Sequence, residues 1–169
     1  MPLTEGQLRL GRLFESEFER QAHVRGYHVV GIKAPIMTGP YRGYRLPDFS
    51  VLANGRCYWN EVKYKTTATL HRKTDVLEHG IDLPNWNDYL AICKLSGLPG
   101  YLTIGEGHTG RILTASFEFL ARHGRVYDGC EHFTQGAIFW AAAIFREWGH
   151  FDLRTGQMHF DFGAGERLA

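Results

Sequence analysis

The sequence predicts an α/β domain with a central mixed β-sheet flanked by helices. Three observations predict it. The patterned segments run helix, three strands, helix, strand, strand, helix, an order that suits a sheet covered by helices. Strands and helices do not alternate regularly, and neither GPYRG nor GEGHTG matches a dinucleotide fingerprint or a phosphate loop with its Lys-Ser/Thr. A doubly wound nucleotide-binding fold and a nucleotide cofactor are therefore set aside. The chain has 169 residues, 44% apolar and 14% aromatic, which is enough for one domain over residues 1–169 with its own core and too apolar for disorder.

The elements follow in order. Leu10, Phe14 and Phe18 recur every four residues, an apolar stripe that predicts a helix from about Glu5 to Arg25, ended by Gly26. YHVVGI is a first strand. KAPIMTGPYRGYR is a Gly/Pro-rich loop carrying Lys33, Arg42 and Arg45. LPDFSVL reads as a second strand, ANGR as a tight hairpin turn and CYWNEVKYK as a third strand. TTATLHRKTDVLEHGIDLP is polar and weakly periodic, and reads as a long loop or short helix. Pro84 and Asn85 open a helix through WNDYLAICKLSG, with Tyr89 and Ile92 or Cys93 on one face and Gly97 closing it. GYLTIG and GRILTA are short strands. Ser116 caps a short helix over FEFLARHG, and Thr134 caps another over QGAIFWAAAIFREWG. HFDLRTGQMHFDFG is a final hairpin.

Charge and cysteines bound the setting. Lys plus Arg number 19 and Asp plus Glu 18, a net charge of +1, so a nucleic-acid surface must be a local patch. Cys57, Cys93 and Cys130 form no CxxC pair, which points to a reducing interior with Cys57 and Cys93 as core thiols. The N-terminal stretch is too charged for a signal peptide, and the longest apolar run, AIFWAAAIF, is too short to span a bilayer. A cytoplasmic protein without a membrane partner is expected. That apolar run predicts a helix that packs deeply or meets another subunit. If that subunit is a second copy of the chain, the protein is a homodimer.

The informative stretch is RLPDFSVLANGRCYWNEVKYK, Arg45 to Lys65. A short hairpin folds Asp48 back toward the strand holding Glu61. Two carboxylates brought together repel unless a cation lies between them. Mg²⁺ suits the place because it takes oxygen ligands, and Asp48, Glu61 and the Val62 backbone carbonyl offer three. Side chains alternate along a strand, so Glu61 and Lys63 share a face while Val62 and Tyr64 point away toward a helix. Lys63 is then placed to stabilise negative charge growing on a phosphate. The plain alternative is a hairpin with one wet face.

Pro47-Asp48 followed across a turn by Glu61-Val62-Lys63 resembles the PD-(D/E)xK nuclease superfamily. Members often carry a further Glu in the preceding helix, in a stretch such as G-x-x-x-E-x-x-F…G-[FY]-x-V. Gly11, Glu15, Phe18, Gly26, Tyr27 and Val29 match that shape. The resemblance implies a restriction-endonuclease-like three-layer fold, Glu15 as a helix carboxylate acting on the metal or on its water, and Glu17 and Glu19 turned to solvent. It implies a Mg²⁺-dependent DNA endonuclease, with Mn²⁺ as a substitute, that hydrolyses phosphodiesters through Glu15, Asp48, Glu61 and Lys63 and leaves a 5′-phosphate. The likeness covers about Gly11 to Gly105, and nothing is carried over from about residue 106 onward. The alternative is the same fold without chemistry: a catalytically inactive DNA-binding or assembly module.

Other residues weigh less. Lys65 continues the face of Glu61 and Lys63 and is read either as a phosphate contact or as a solvated strand end. His71, Arg72 and Lys73 cluster after that strand, and Arg42 and Arg45 precede Asp48; both groups are candidates to grip a phosphate backbone, against ordinary wet loops. The nine His residues have no zinc spacing. Trp86, Tyr89, Trp140 and Trp148 fit a core or an oligomer face better than stacking platforms.

Overall fold

The computed structural model describes residues 4–32, 39–129, 134–152 and 154–160. Lys33 and Cys130 lie outside the described residues. Helix α1 spans Glu5–Val24. Thr4 starts it with a capping box: its hydroxyl accepts from the Gln7 N–H at 3.3 Å, and Gln7 Oε1 accepts from the Thr4 N–H at 2.9 Å. Phe14, Phe18 and Ala22 form its buried stripe, and the chain turns away at Gly26.

Strands β1 (His28–Gly31), β2 (Phe49–Ala53) and β3 (Arg56–Lys65) follow, each antiparallel to the one before. The β2–β3 turn has two residues, Asn54 at φ 51° and Gly55 at φ 73°. Two left-handed residues match the twist of a hairpin, which is why Asn-Gly is favoured there. Ala53 pairs with Arg56 across the turn, and the register continues to Phe49 opposite Asn60.

Two strands come next where a loop or short helix is expected: β4 (Thr69–His71) and β5 (Val76–Asp82), an antiparallel hairpin. The strand pattern is hidden because β5 buries two ionisable side chains. Glu78 pairs with Arg125, and His79 Nε2 lies 2.6 Å from Glu106 Oε1. Ionisable residues are buried when paired, so a buried strand can read as polar. Helix α2 (Leu83–Ser96) then crosses over, ending at Gly97 in the left-handed region. It leads to β6 (Gly100–Glu106), which lies parallel to β3. Strand β7 (Arg111–Ser116) and helix α3 (Phe117–His123) follow, and Ser116 Oγ accepts from the Phe119 N–H at 3.2 Å as its cap. The last strands are β8 (Arg125–Tyr127), β9 (Ala137–Ala141), β10 (Arg146–Phe151) and β11 (Met158–Phe160).

The helix expected after Thr134 is thus β9, a short 3-10 turn at Ala142–Ile144 and β10. A continuous apolar run has no period to tell helix from buried strand. Here β9 lies between β5 and β8, and Trp140 is fully buried with its Nε1 donating to the Leu120 carbonyl at 2.8 Å. The expected final hairpin is present as β10–β11.

Among the described residues, seven strands form a mixed sheet in the order β1-β2-β3-β6-β7-β10-β11, and four form a second sheet, β4-β5-β9-β8. Helix α1 packs on one face of the large sheet, over Phe49, Val51 and Val62. The other face carries Leu102, Ile104 and Leu113 against Trp86 and Tyr89 of α2, with Ile81, Ile138 and Trp140 of the second sheet. This is the α/β arrangement expected, a mixed sheet flanked by helices. Gly105 shows how close α1 comes: a Cβ there would lie 2.4 Å from the Phe14 ring.

Trp86, Tyr89 and Trp140 are core residues, as expected, and Trp148 is half-buried. Cys93 is half-buried, and burial pushes its thiol up to about 11. Cys57 is exposed rather than a core thiol. It sits next to the hairpin turn, opposite exposed Leu52, on the sheet face turned away from the core that its neighbours Ala53 and Tyr58 enter.

Candidate active site

Asp48 and Glu61 meet as the hairpin predicts. Asp48 stands just before β2, with its carbonyl accepting from the Ile32 N–H at 2.7 Å. Each acidic side chain accepts from the other strand's backbone: Val62 N–H donates to Asp48 Oδ2 at 2.9 Å, and Asp48 N–H donates to Glu61 Oε2 at 3.1 Å. These two bonds continue the β2–β3 ladder one step beyond its last paired residues. An extended residue sends its N–H and C=O to the same strand edge, so the Val62 carbonyl also faces the Asp48 side.

The alternation expected for β3 holds. Val62 and Tyr64 lie on the α1 face, with the Tyr64 and Phe14 rings 6.3 Å apart. Glu61 and Lys63 lie on the α2 face, which is not wet at Glu61: that side chain is 0% exposed. Its Oε1 accepts from the Tyr89 hydroxyl at 2.6 Å and pairs with the Lys63 ammonium. Burial raises the Glu61 carboxyl to about 7, against the pull of Lys63 and with a further push from Asp48. Burial works against charge on Lys63, yet Glu61 and Asp48 outweigh it and hold the ammonium above its ordinary range. Its side chain keeps 26% exposure.

Arg45 joins this group. Its backbone N–H donates to Asp88 Oδ2 at 2.9 Å, and its charge lies close to Tyr89, Glu61 and Asp48. Burial disfavours that charge, and Tyr89, Glu61 and Asp48 together more than offset it. Lys65 is half-buried on the same face. Burial lowers its pKa, as does Lys63, while Asp82 opposes the shift.

Arg42 is exposed in the loop before Asp48. Arg72 and Lys73 are exposed in the β4–β5 turn, where His71 Nδ1 is engaged with the Thr74 hydroxyl at 2.6 Å. Glu15 is half-buried beside Phe14, on the helix that covers the opposite face of β3. Glu17 does not turn to solvent. Its side chain is 11% exposed, pairs with Arg20 at 2.6 Å and accepts from the Met158 N–H at 3.3 Å, because β11 closes over that side of α1.

Sequence reasoning missed Tyr89 and Asp88 as partners of the site. Tyr89 reads as core, and it is core; its hydroxyl is the polar signal, since a buried phenol needs an acceptor. Asp48 and Glu61, with the Val62 carbonyl, are residues that could hold a cation here. Among the described residues, no group of three or more His, Cys, Asp and Glu side chains gathers around one point. The donor set is all oxygen and suits a hard divalent ion that completes its shell with water or phosphate.

No protein-family model matches the sequence, and no curated protein does. Solved structures do. One is Hjc, a Holliday junction resolvase from the archaeal hyperthermophile Archaeoglobus fulgidus, with a TM-score of 0.54 at 12% identity over 81% of this chain and 95% of that one. Another is a nuclease from a fusselovirus, with a TM-score of 0.52 at 7% identity over 87% of this chain and 89% of that one. At such identities the likeness is one of architecture. This chain has the fold of that resolvase and of that viral nuclease, a mixed sheet flanked by helices.

Proposed function

We propose that the protein is a Mg²⁺-dependent DNA endonuclease that hydrolyses phosphodiester bonds, with Mn²⁺ able to substitute. The observation that carries this is the junction of Asp48 and Glu61 beside Lys63, on a hairpin whose fold is that of nucleases. Asp48, Glu61 and the Val62 carbonyl hold the ion. When bound, it supplies charge that lowers the pKa of a water and polarises the scissile phosphate. Lys63 is paired with Glu61 and close to Asp48, and stabilises negative charge that grows on the phosphate. Arg45 adds a second cation on the same side. Cleavage leaves a 5′-phosphate. Lys65, Arg42, His71, Arg72 and Lys73 bind the flanking backbone.

The second reading is an inactive nuclease-fold module that binds DNA or assembles with it. Among the described residues no group of three or more His, Cys, Asp and Glu side chains is placed to hold a metal ion, and this favours it. Titration of Mg²⁺ and Mn²⁺ against labelled circular, nicked, branched and single-stranded DNA separates the two. Metal-dependent strand cuts support the endonuclease; binding without any cut at all metal concentrations supports the module.

Glu15 is the third carboxylate of this proposal. Glu15→Gln is expected to weaken metal-dependent cleavage, and Glu19→Gln is not. The reverse ranking would place the helix carboxylate at the wrong position. Equal losses, with reduced helical circular dichroism, would trace both to helix stability.

Arg72 and Lys73 should act on binding. Replacing either by Ala is expected to weaken DNA affinity while leaving the single-turnover rate of bound substrate unchanged. It should also flatten the salt dependence of log K by about 0.9 for each duplex phosphate that is no longer neutralised. A gel-shift series in Ca²⁺ at several salt concentrations reads the slope; an unchanged slope removes the β4–β5 turn from the interface.

A further inference from the structure

The two oxygens of Glu61 are held differently. Oε1 accepts the Tyr89 hydroxyl at 2.6 Å and pairs with Lys63, while Oε2 lies on the Asp48 side and accepts that residue's N–H at 3.1 Å. A phenol has one proton to donate, and Glu61 receives it. Tyr89 is itself immobilised. It is fully buried and stacked on Phe117, with ring centroids 5.9 Å apart and planes 13° from parallel. The residue before it, Asp88, holds the Arg45 N–H, three residues ahead of Asp48. Consecutive side chains of α2 thus tie both arms of the hairpin, one to the segment leading into Asp48 and the other to Glu61 itself.

We propose that Tyr89 is a positioning residue for Glu61: its hydroxyl fixes Oε1 and so presents Oε2, beside Asp48, to a divalent cation. The inference rests on the metal-dependent reading above. A glutamate side chain has three rotatable bonds, and its backbone position alone does not aim a given oxygen. A hydrogen bond from a rigid, buried donor does. Partners of this kind, one step removed from the ion, typically contribute about 10–100-fold to metal affinity or activity.

The test is calorimetric titration of Mn²⁺ into the DNA-free full chain, run on wild type, Tyr89→Phe, Asp48→Asn and Trp86→Phe. Tyr89→Phe removes one oxygen and keeps the stacked ring. It is expected to weaken Mn²⁺ binding by about 10–100-fold, with circular dichroism unchanged. Trp86→Phe lies one turn earlier on the same helix, packs on Trp140 and Phe117, and serves as the core control; it should lower Tm and leave Mn²⁺ affinity in place. If Tyr89→Phe binds Mn²⁺ as tightly as wild type while Asp48→Asn has lost it, the positioning role is wrong and the metal site stands. Equal weakening by Tyr89→Phe and Trp86→Phe would reduce Tyr89 to a core residue and overturn the inference. A wild-type chain that binds no Mn²⁺ overturns the metal-dependent reading, and this inference with it.

Discussion

Asp48→Asn is expected to abolish Mg²⁺-dependent strand cleavage while the fold persists. The substitution changes a charge and almost no volume. Asp48 Oδ2 accepts from the Val62 N–H, and the amide oxygen of Asn can accept the same bond. The Asp48 N–H to Glu61 bond uses backbone and is untouched. Replacing a charged acceptor by a neutral one costs on the order of 1 kcal/mol, too little to unfold a domain of this size. Loss of one of two carboxylate charges is different for a cation site, because the remaining donors are a buried Glu61 that resists ionisation and a neutral carbonyl. The measurement is single-turnover cleavage of labelled DNA in Mg²⁺ beside a thermal melt. Wild-type cleavage by both Asp48→Asn and Asp48→Ala would end the metal-site proposal.

Lys63→Met should separate catalysis from binding. Met keeps most of the aliphatic stem and deletes the cation. Losing a preorganised electrostatic interaction of this kind costs a factor of roughly 10²–10³ in kcat, and substrate affinity in Ca²⁺ should change far less. If the dissociation constant instead rises in step with the loss of rate, Lys63 is a substrate clamp. The same variant has a signature in stability. The Glu61 carboxyl is raised to about 7 in the folded chain with Lys63 present, and removing Lys63 raises it further. A carboxyl whose folded pKa exceeds its unfolded value favours the folded state most below the unfolded pKa, and that contribution is lost as pH rises through the folded pKa. Wild type and Lys63→Met should therefore differ least in the acid range, and the gap in Tm should open as pH climbs through about 7. Metal-free melts across that range read it; a gap that is constant with pH would mean that Lys63 does not offset the charge on Glu61.

Much of the fold and part of the candidate site follow from the sequence alone, because they depend on neighbours in the chain. The Leu10, Phe14 and Phe18 stripe produces α1, and Asn54-Gly55 produces the turn that sets the β2–β3 register. That register and the alternation of β3 suffice to bring Asp48 to Glu61, to set Lys63 beside them and to turn Val62 and Tyr64 toward α1. The rest depends on how distant segments pack. Tyr89 and Asp88 reach the site because α2 crosses from β5 to β6 over that face of the sheet, a placement no local period encodes. Strands β5 and β9 were illegible for related reasons. The ionisable side chains of β5, Glu78 and His79, are buried against partners far along the chain, Arg125 and Glu106, and the apolar run of β9 has no period until the second sheet encloses it. Local sequence sets backbone geometry and side-chain direction over a few residues. Which buried group answers which is set by packing between segments, and packing also raises the Glu61 carboxyl to about 7 by taking it out of water.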